Sequence, residues 1–315
     1  MEKLATLTMN PAVDMSYEVD RMVDTHKMRA RAERYSPGGG GINVARIFIR
    51  LGETARCYYP AGGPIGEAFQ RLVDAHGLPG RRFAIAGTTR VSTTVLERST
   101  GREFRLVPEG PQLAAQEWQD VLEAIAEARC EFLVASGSLP RGVPDDFYAR
   151  IAAIAGKAGI RFVLDSSGRG LAGGLARGGV EIVKPSLGEL GQLAGRRLEG
   201  LDEIRATAAG IVRQGQAKIV TVTMGHRGAI LVSGEGSLYL PAPPVEAVSA
   251  VGAGDSFVAG MIFKLANGAD LEEAFRFAMA AGTAAVCTPG TEMSRPEDIP
   301  RFLADRLDGI RTGTL

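Results

Sequence analysis

The sequence predicts an α/β protein: a mostly parallel central sheet layered between helices, with a small antiparallel sheet added as a lid. Three observations carry this expectation. Apolar strand-like runs alternate with helical patterns along most of the chain, as in a sheet built from crossover units. Residues 14–36 and 90–108 break the alternation, mixing polar and apolar positions with no helix between them. Finally, 315 residues of which 45% are hydrophobic can bury a sizeable core, as one large domain or two ordinary ones.

In chain order, strands are expected at 4–8, 55–60, 132–136, 160–165, 181–184 and 219–223. Helices are expected at 42–51, 66–76, 115–129, 145–158 and 201–214. Ligands of such sheets gather at the carboxyl ends of the strands, which here carry Thr8, Ser136, Asp165, Lys184 and Thr223. Residues 91–97 and 103–107, joined by Arg98-Ser99-Thr100-Gly101-Arg102, read as a hairpin. The core is therefore assigned to 1–14, 37–89 and 109–315, and the lid to 15–36 and 90–108. A sheet of so few strands leaves an apolar face in need of cover.

Lysine plus arginine equals aspartate plus glutamate at 36 each, so no global field favours nucleic acid or membrane. Cys57, Cys130 and Cys287 lie far apart without metal-site spacing and read as buried free thiols. The chain shows no signal pattern and no membrane-length apolar run, so a cytoplasmic protein is expected.

The most informative segment is Val251-Gly252-Ala253-Gly254-Asp255-Ser256, a glycine turn followed by an acid and an apolar helical run. Gly252 and Gly254 permit a tight turn, and the helix start offers free N–H groups to an anion. Asp255 beside them could take a proton from an attacking hydroxyl, or could simply cap the helix. A second cluster, Gly38-Gly39-Gly40-Gly41-Ile42-Asn43, runs straight into a helix that ends near Leu51-Gly52. Backbone lying flat against a polar ligand, with Asn43 as donor and acceptor, accounts for so many glycines; a flexible loop is the plainer alternative. Neither cluster is a phosphate-binding G-x-x-x-x-G-K-[ST] loop or a dinucleotide G-x-G-x-x-G fingerprint.

Together the two clusters resemble the paired signatures of the PfkB-type carbohydrate kinases of the ribokinase superfamily. Thr6-Leu7-Thr8-Met9-Asn10-Pro11-Ala12-Val13-Asp14, Ser136-Gly137-Ser138-Leu139-Pro140 and Leu164-Asp165-Ser166-Ser167-Gly168 narrow the resemblance to its sugar-phosphate branch, and it covers almost the whole chain. The resemblance implies a ribokinase-like αβα sandwich whose β lid closes the sugar site and pairs in a homodimer. It implies Asp255 as base, with Gly252, Ala253 and Gly254 forming the anion hole. Asp14, Gly39, Gly40 and Asn43 would grip the sugar, and Lys27, Arg90 and Ser138 its phosphate. Arg21, Arg31, Arg34, Arg102 and Arg105 read as solvated charge.

For ATP, Lys184, Ser186, Thr223, Gly225 and Gly228 match the nucleotide segments, although 223–228 also reads as a plain hairpin turn. Glu189 would organise Mg2+ through water. Ser186 stands where relatives commonly have asparagine, which removes an amide from that motif. His226 reads as a surface residue. Ser249, Val251, Ala285, Thr288 and Gly290 correspond to a K+ loop in relatives. The expected activity is ATP- and Mg2+-dependent phosphorylation of fructose 6-phosphate to fructose 1,6-bisphosphate. Tagatose 6-phosphate, fructose 1-phosphate and unphosphorylated sugars are the alternatives, the second disfavoured by Gly40 where such kinases often carry lysine. A non-catalytic sugar-binding regulator is disfavoured because a pure binder needs no base.

Overall fold

The first strand, β1 (Glu2–Leu7), sits inside a nine-stranded sheet, after which the chain leaves for the lid as β2 (Ala12–Val19) and β3 (Arg31–Gly38). It re-enters through α1 (Gly40–Arg50), β4 (Ala55–Ala61), α2 (Gly63–Ala75) and β5 (Gly80–Ala84), then returns to the lid as β6 (Arg90–Glu97) and β7 (Arg102–Leu106). The rest of the core follows as α3 (Ala115–Ala126), β8 (Cys130–Ser136), α4 (Phe147–Lys157), β9 (Arg161–Asp165), α5 (Gly168–Leu175) and β10 (Val180–Val183). Then come α6 (Leu187–Leu193), α7 (Leu201–Arg213), β11 (Ala217–Thr223), β12 (Ala229–Ser233) and β13 (Gly236–Leu240). The described chain closes with α8 (Ala253–Ala266), α9 (Leu271–Val286) and α10 (Ile299–Arg306). This computed structural model describes residues 2–306; residue 1 and residues 307–315, assigned to the core from sequence, lie outside the described residues.

The large sheet runs β13-β12-β11-β10-β9-β8-β1-β4-β5 and is parallel except for β12 and β13, which add antiparallel at one edge. Its central strands are apolar on both faces because both are covered. In β8, Leu133 and Ala135 join the core under α3 to α7, while Phe132 and Val134 join the core under α1, α2, α8 and α9. All six strands expected from sequence are present. Several elements not expected carry weak local signals: β5 is a short edge strand rich in arginine, α5 holds four glycines in eight residues, and α6 has only seven residues, whereas the long α9 was not expected despite its Asp270 cap and apolar run. Cys57 and Cys130 are buried as expected, but Cys287 is only partly so, because it caps α9 at a surface turn.

The small sheet runs β3-β2-β6-β7. Its outer pairs are antiparallel, whereas β2 and β6 pair in parallel because both leave the core in the same direction. Cross-strand rows sort its residues by face. Met15, Tyr35, Thr93 and Leu106 form one outward row; Ser16, Arg34, Thr94 and Arg105 form an inward one.

Candidate active site

Strand β1 pairs with β4 on one side and β8 on the other, so the direction of winding reverses there and a crevice opens at the strands' carboxyl ends. A cavity of about 280 Å³ occupies this crevice beneath the lid. Asp14, Gly39, Gly40, Asn43, Arg90 and Asp255 are all among the residues that line it.

Helix α8 begins there. Gly252 is its N-cap at φ 74°, a left-handed conformation natural to glycine, and Met293 fills the space beside it. The first amide bonded within the helix is that of Ser256, to Gly252 O at 2.8 Å. The N–H groups of Ala253, Gly254 and Asp255 therefore form the unpaired end of the helix. Asp255 lies inside the helix rather than at its cap, which sets the capping alternative aside. Its Oδ2 accepts a hydrogen bond from Asn43 Nδ2 at 2.9 Å, from the start of α1. Burial pushes the Asp255 carboxyl up to about 7 and nearby Asp165 adds to the shift, while the Asn43 bond and Lys184 oppose it and Asp14 adds to it. A base poised near neutrality is what proton abstraction needs. Gly40 keeps the space open: a Cβ there would overlap Ser136 Oγ and come within 3.1 Å of Asp255 Oδ1.

Behind α8, Lys184 Nζ lies 3.0 Å from Asp165 Oδ1, both side chains nearly buried. Ser136 Oγ donates to Asp165 Oδ2 at 3.3 Å. Burial alone would lower the Lys184 ammonium, but Asp165, Glu189 and Asp255 more than reverse this and keep it charged. A Cβ on Gly254 would sit 3.5 Å from Lys184 Nζ, so this cation faces the open end of α8.

The lid supplies the other wall. Burial pushes Asp14 up to about 6 against the opposing charges of Arg105, Arg46 and Arg90. Arg90 donates to Pro108 O at 2.8 Å and Asn10 O at 2.7 Å, while its buried Nε has no partner. Ser138 turns from the cavity wall to Asn10, whose Nδ2 donates to Ser138 Oγ at 3.3 Å. Lys27 is not brought to the cavity. It is exposed in the connection between β2 and β3, where no ladder holds it against the core. Arg105 on β7 occupies the wall instead, on the inward row with Thr94. Period-two alternation along 103–107 was the signal that could have found it.

On the far side, Ser186 caps α6. Glu189 Oε2 accepts from the Ser186 amide at 2.7 Å and from its hydroxyl at 2.9 Å, and Ser186 Oγ accepts from Glu189 N at 3.3 Å, a reciprocal capping box. The serine thus orients Glu189, whose side chain lines the cavity. Thr223 ends β11 beside Ser186, followed by a tight turn at Gly225–Arg227 and by Gly228, packed against Leu240 O with no room for a Cβ. The hairpin reading of this segment holds, since β11 and β12 pair directly across it. His226 is exposed. A second cavity of about 900 Å³ opens here, lined by Gly188 and Gly191 and by Arg196, Arg197 and Arg227, which motif spacing did not single out. The Ser249 amide donates to Val286 O at 3.1 Å and the Val251 amide to Ser249 Oγ at 3.2 Å, which draws 249–251 against the end of α9 at 285–288.

The pfkB family carbohydrate kinase model matches residues 7–298. The chain belongs to the pfkB family of carbohydrate kinases. This kinase is 41% identical over 302 residues to the ATP-dependent 6-phosphofructokinase isozyme 2 of Mycobacterium tuberculosis, covering 95% of this chain and 88% of that one. It is 33% identical over 299 residues to a 1-phosphofructokinase of Rhodobacter capsulatus, with 94% of each chain covered. Phosphofructokinase-2 from Escherichia coli in complex with fructose-6-phosphate superposes with a TM-score of 0.89 at 37% identity, covering 96% of this chain and 99% of that one. The same E. coli enzyme has been solved with potassium (TM-score 0.92) and in a tetrameric inhibited form (TM-score 0.89), at 38% identity and the same coverage. The kinase is a phosphotransferase with the ribokinase-like fold, and among the described residues no helix is long and apolar enough to cross a membrane.

Proposed function

We propose that this kinase transfers the terminal phosphoryl group of ATP to the C1 hydroxyl of fructose 6-phosphate, giving fructose 1,6-bisphosphate. The observation that carries the reading is one cavity that joins a buried carboxylate poised near neutrality, at the open amide end of α8, to two lid arginines. Asp14 and Asn43 hold sugar hydroxyls, and Arg90 and Arg105 hold the 6-phosphate. The C1 hydroxyl gives its proton to Asp255 as the oxygen bonds to the γ-phosphorus and the bond to the β–γ bridging oxygen breaks. The amides of Ala253, Gly254 and Asp255 and the Lys184 ammonium stabilise the charge on the group in transfer.

ATP fits along Lys184, Thr223 and the turn from Gly225 to Gly228, towards the arginine-lined second cavity. Among the described residues no cluster of three acidic, histidine or cysteine side chains could hold a metal. That fits a magnesium ion that arrives with the nucleotide and is organised by Glu189 through water. Held there, magnesium would supply positive charge against the phosphate groups. Backbone carbonyls of Ser249, Val251, Ala285, Thr288 and Gly290 would be the ligands of a potassium ion; hydrogen bonds from Val248 and Ser249 to Val286 O hold the loop beside the end of α9.

A panel of sugars and sugar phosphates with MgATP tests the reading: fructose 6-phosphate should have the highest kcat/KM. Fructose 1-phosphate is the second reading, favoured by the R. capsulatus relative, and a higher kcat/KM for it would replace the first. Arg90→Ala should lower kcat/KM for fructose 6-phosphate by roughly tenfold to a hundredfold, the worth of a charge-assisted contact, with little change in KM for ATP. An unchanged value removes Arg90 from the phosphate site.

We also propose a homodimer paired through the lids, consistent with a cytoplasmic enzyme. On the outward face Tyr35 on one edge strand and Phe104 and Leu106 on the other remain 49%, 38% and 62% exposed. Sedimentation at micromolar concentration should give a dimer; a fully active monomer would overturn this arrangement.

A further inference from the structure

We infer that Arg46 is a positioning residue that sets the orientation of the Asn43 amide and thereby decides which oxygen of Asp255 receives the proton. The inference rests on the reading of Asp255 as the base. Arg46 lies one helical turn beyond Asn43 on α1 and is only 4% exposed. Its Nη1 donates to Asn43 Oδ1 at 3.3 Å and to Pro37 O at 3.5 Å, while its buried Nε has no partner.

A guanidinium has donors and no acceptor. Asn43 must therefore turn its oxygen towards Arg46, which leaves Nδ2 as the group that meets Asp255. That amide engages Asp255 Oδ2. The other oxygen, Oδ1, is the one beside Gly40, where the missing Cβ leaves room for a reacting hydroxyl. The proton is thus steered to Oδ1. Were the amide free to turn over, two oxygens would face each other at Asp255, favouring its protonated form. A buried arginine with an unpaired N–H is a costly way to fill space behind a helix. Its cost is understandable where a donor-only group is needed.

Charge supports the same arrangement. Asp255 is faced by Asp165 at the end of β9, Lys184 beyond β10, Asp14 on β2 and Arg46 on α1. Burial holds Arg46 down to about 10 and Arg50 adds to this, while Asp14 and Asp255 draw it back up. Loss of Arg46 removes a positive charge that acts on both Asp14 and Asp255, as well as the constraint on Asn43. Both changes favour protonated Asp255, so the acid limb of turnover moves to higher pH.

The test compares Arg46→Lys, Arg46→Gln and Arg46→Met with Asn43→Ala and the double variant Asn43→Ala/Arg46→Met. kcat, KM and melting temperature are followed across pH. Lysine is a donor only and should keep the acid limb near its wild-type position. Glutamine and methionine do not specify the amide orientation and should lower kcat about tenfold to a hundredfold, with the limb displaced upward and a smaller change in KM for ATP. In the Asn43→Ala background, Arg46→Met should lower kcat much less than it does alone, because only the loss of its charge remains to act. Equal behaviour of the lysine and glutamine variants, or additive losses in the double variant, overturns the inference. If Arg46→Met does not fold, the lysine–glutamine comparison decides alone. Failure of the base reading shows separately, as wild-type turnover in Asp255→Asn whatever the Arg46 variants do.

Discussion

Asp255→Asn should fold and lose turnover by roughly 10²–10⁴-fold, the usual worth of a positioned general base. Asparagine keeps the shape, can still accept from Asn43 Nδ2, and leaves the helix cap at Gly252 untouched. Binding of fructose 6-phosphate and MgATP should change far less than kcat. The raised carboxyl, at about 7, adds two pH-dependent expectations. In the wild type, kcat/KM for the sugar phosphate should fall as pH drops below about 7, when the base becomes protonated.

Stability should move the other way. The folded state binds this proton more tightly than the unfolded chain does, so stability from this group is lost as pH rises from the ordinary carboxylate range through about 7. The neutral asparagine variant escapes that loss. It should melt above wild type at pH 8 and converge with it in acid. A folded Asp255→Asn protein within a few fold of wild-type turnover would mean that this carboxylate is structural and that the mechanism is wrong.

Lys184→Met should damage both folding and turnover. It strands Asp165 in a nearly buried position without its partner at 3.0 Å. Breaking a buried pair on one side costs about 3–5 kcal/mol. Asp165, already pushed up by burial, would be driven further towards its protonated form, so the deficit should shrink as pH falls. The double variant Asp165→Asn/Lys184→Met removes both charges and should recover most of the lost stability. It should not recover activity, because the cation facing the open end of α8 is gone. Thermal melts and kcat for the two proteins separate the roles. A single variant as stable as wild type would show that the pair does not hold the core, and a double variant with restored turnover would show that Lys184 does not serve the transfer.

The layered sheet was legible in the chain because its signals are local. Runs such as 132–136 are apolar at successive positions, helices follow at short intervals, and the glycines at 38–41 and 252–254 stand directly before helical patterns. Each of these features lies within a dozen residues, the range over which periodicity and turn chemistry act. The same locality explains the omission of α5, α6 and β5, where glycine, shortness or charge mutes the pattern.

Tertiary structure alone decided which charges meet. Arg105 rather than Lys27 reaches the cavity wall, because cross-strand register sends one row of lid side chains inward and the long β2–β3 connection holds Lys27 outside. Asp165 and Lys184 become a buried pair only when β9 and β10 pair in parallel, with Lys184 N bonded to Leu164 O. Asp255 meets Asn43 across 212 residues of sequence, and its elevated carboxyl reflects burial and Asp165 rather than its neighbours in the chain. Burial and electrostatics are sums over everything packed around a group, and no window of sequence contains those neighbours.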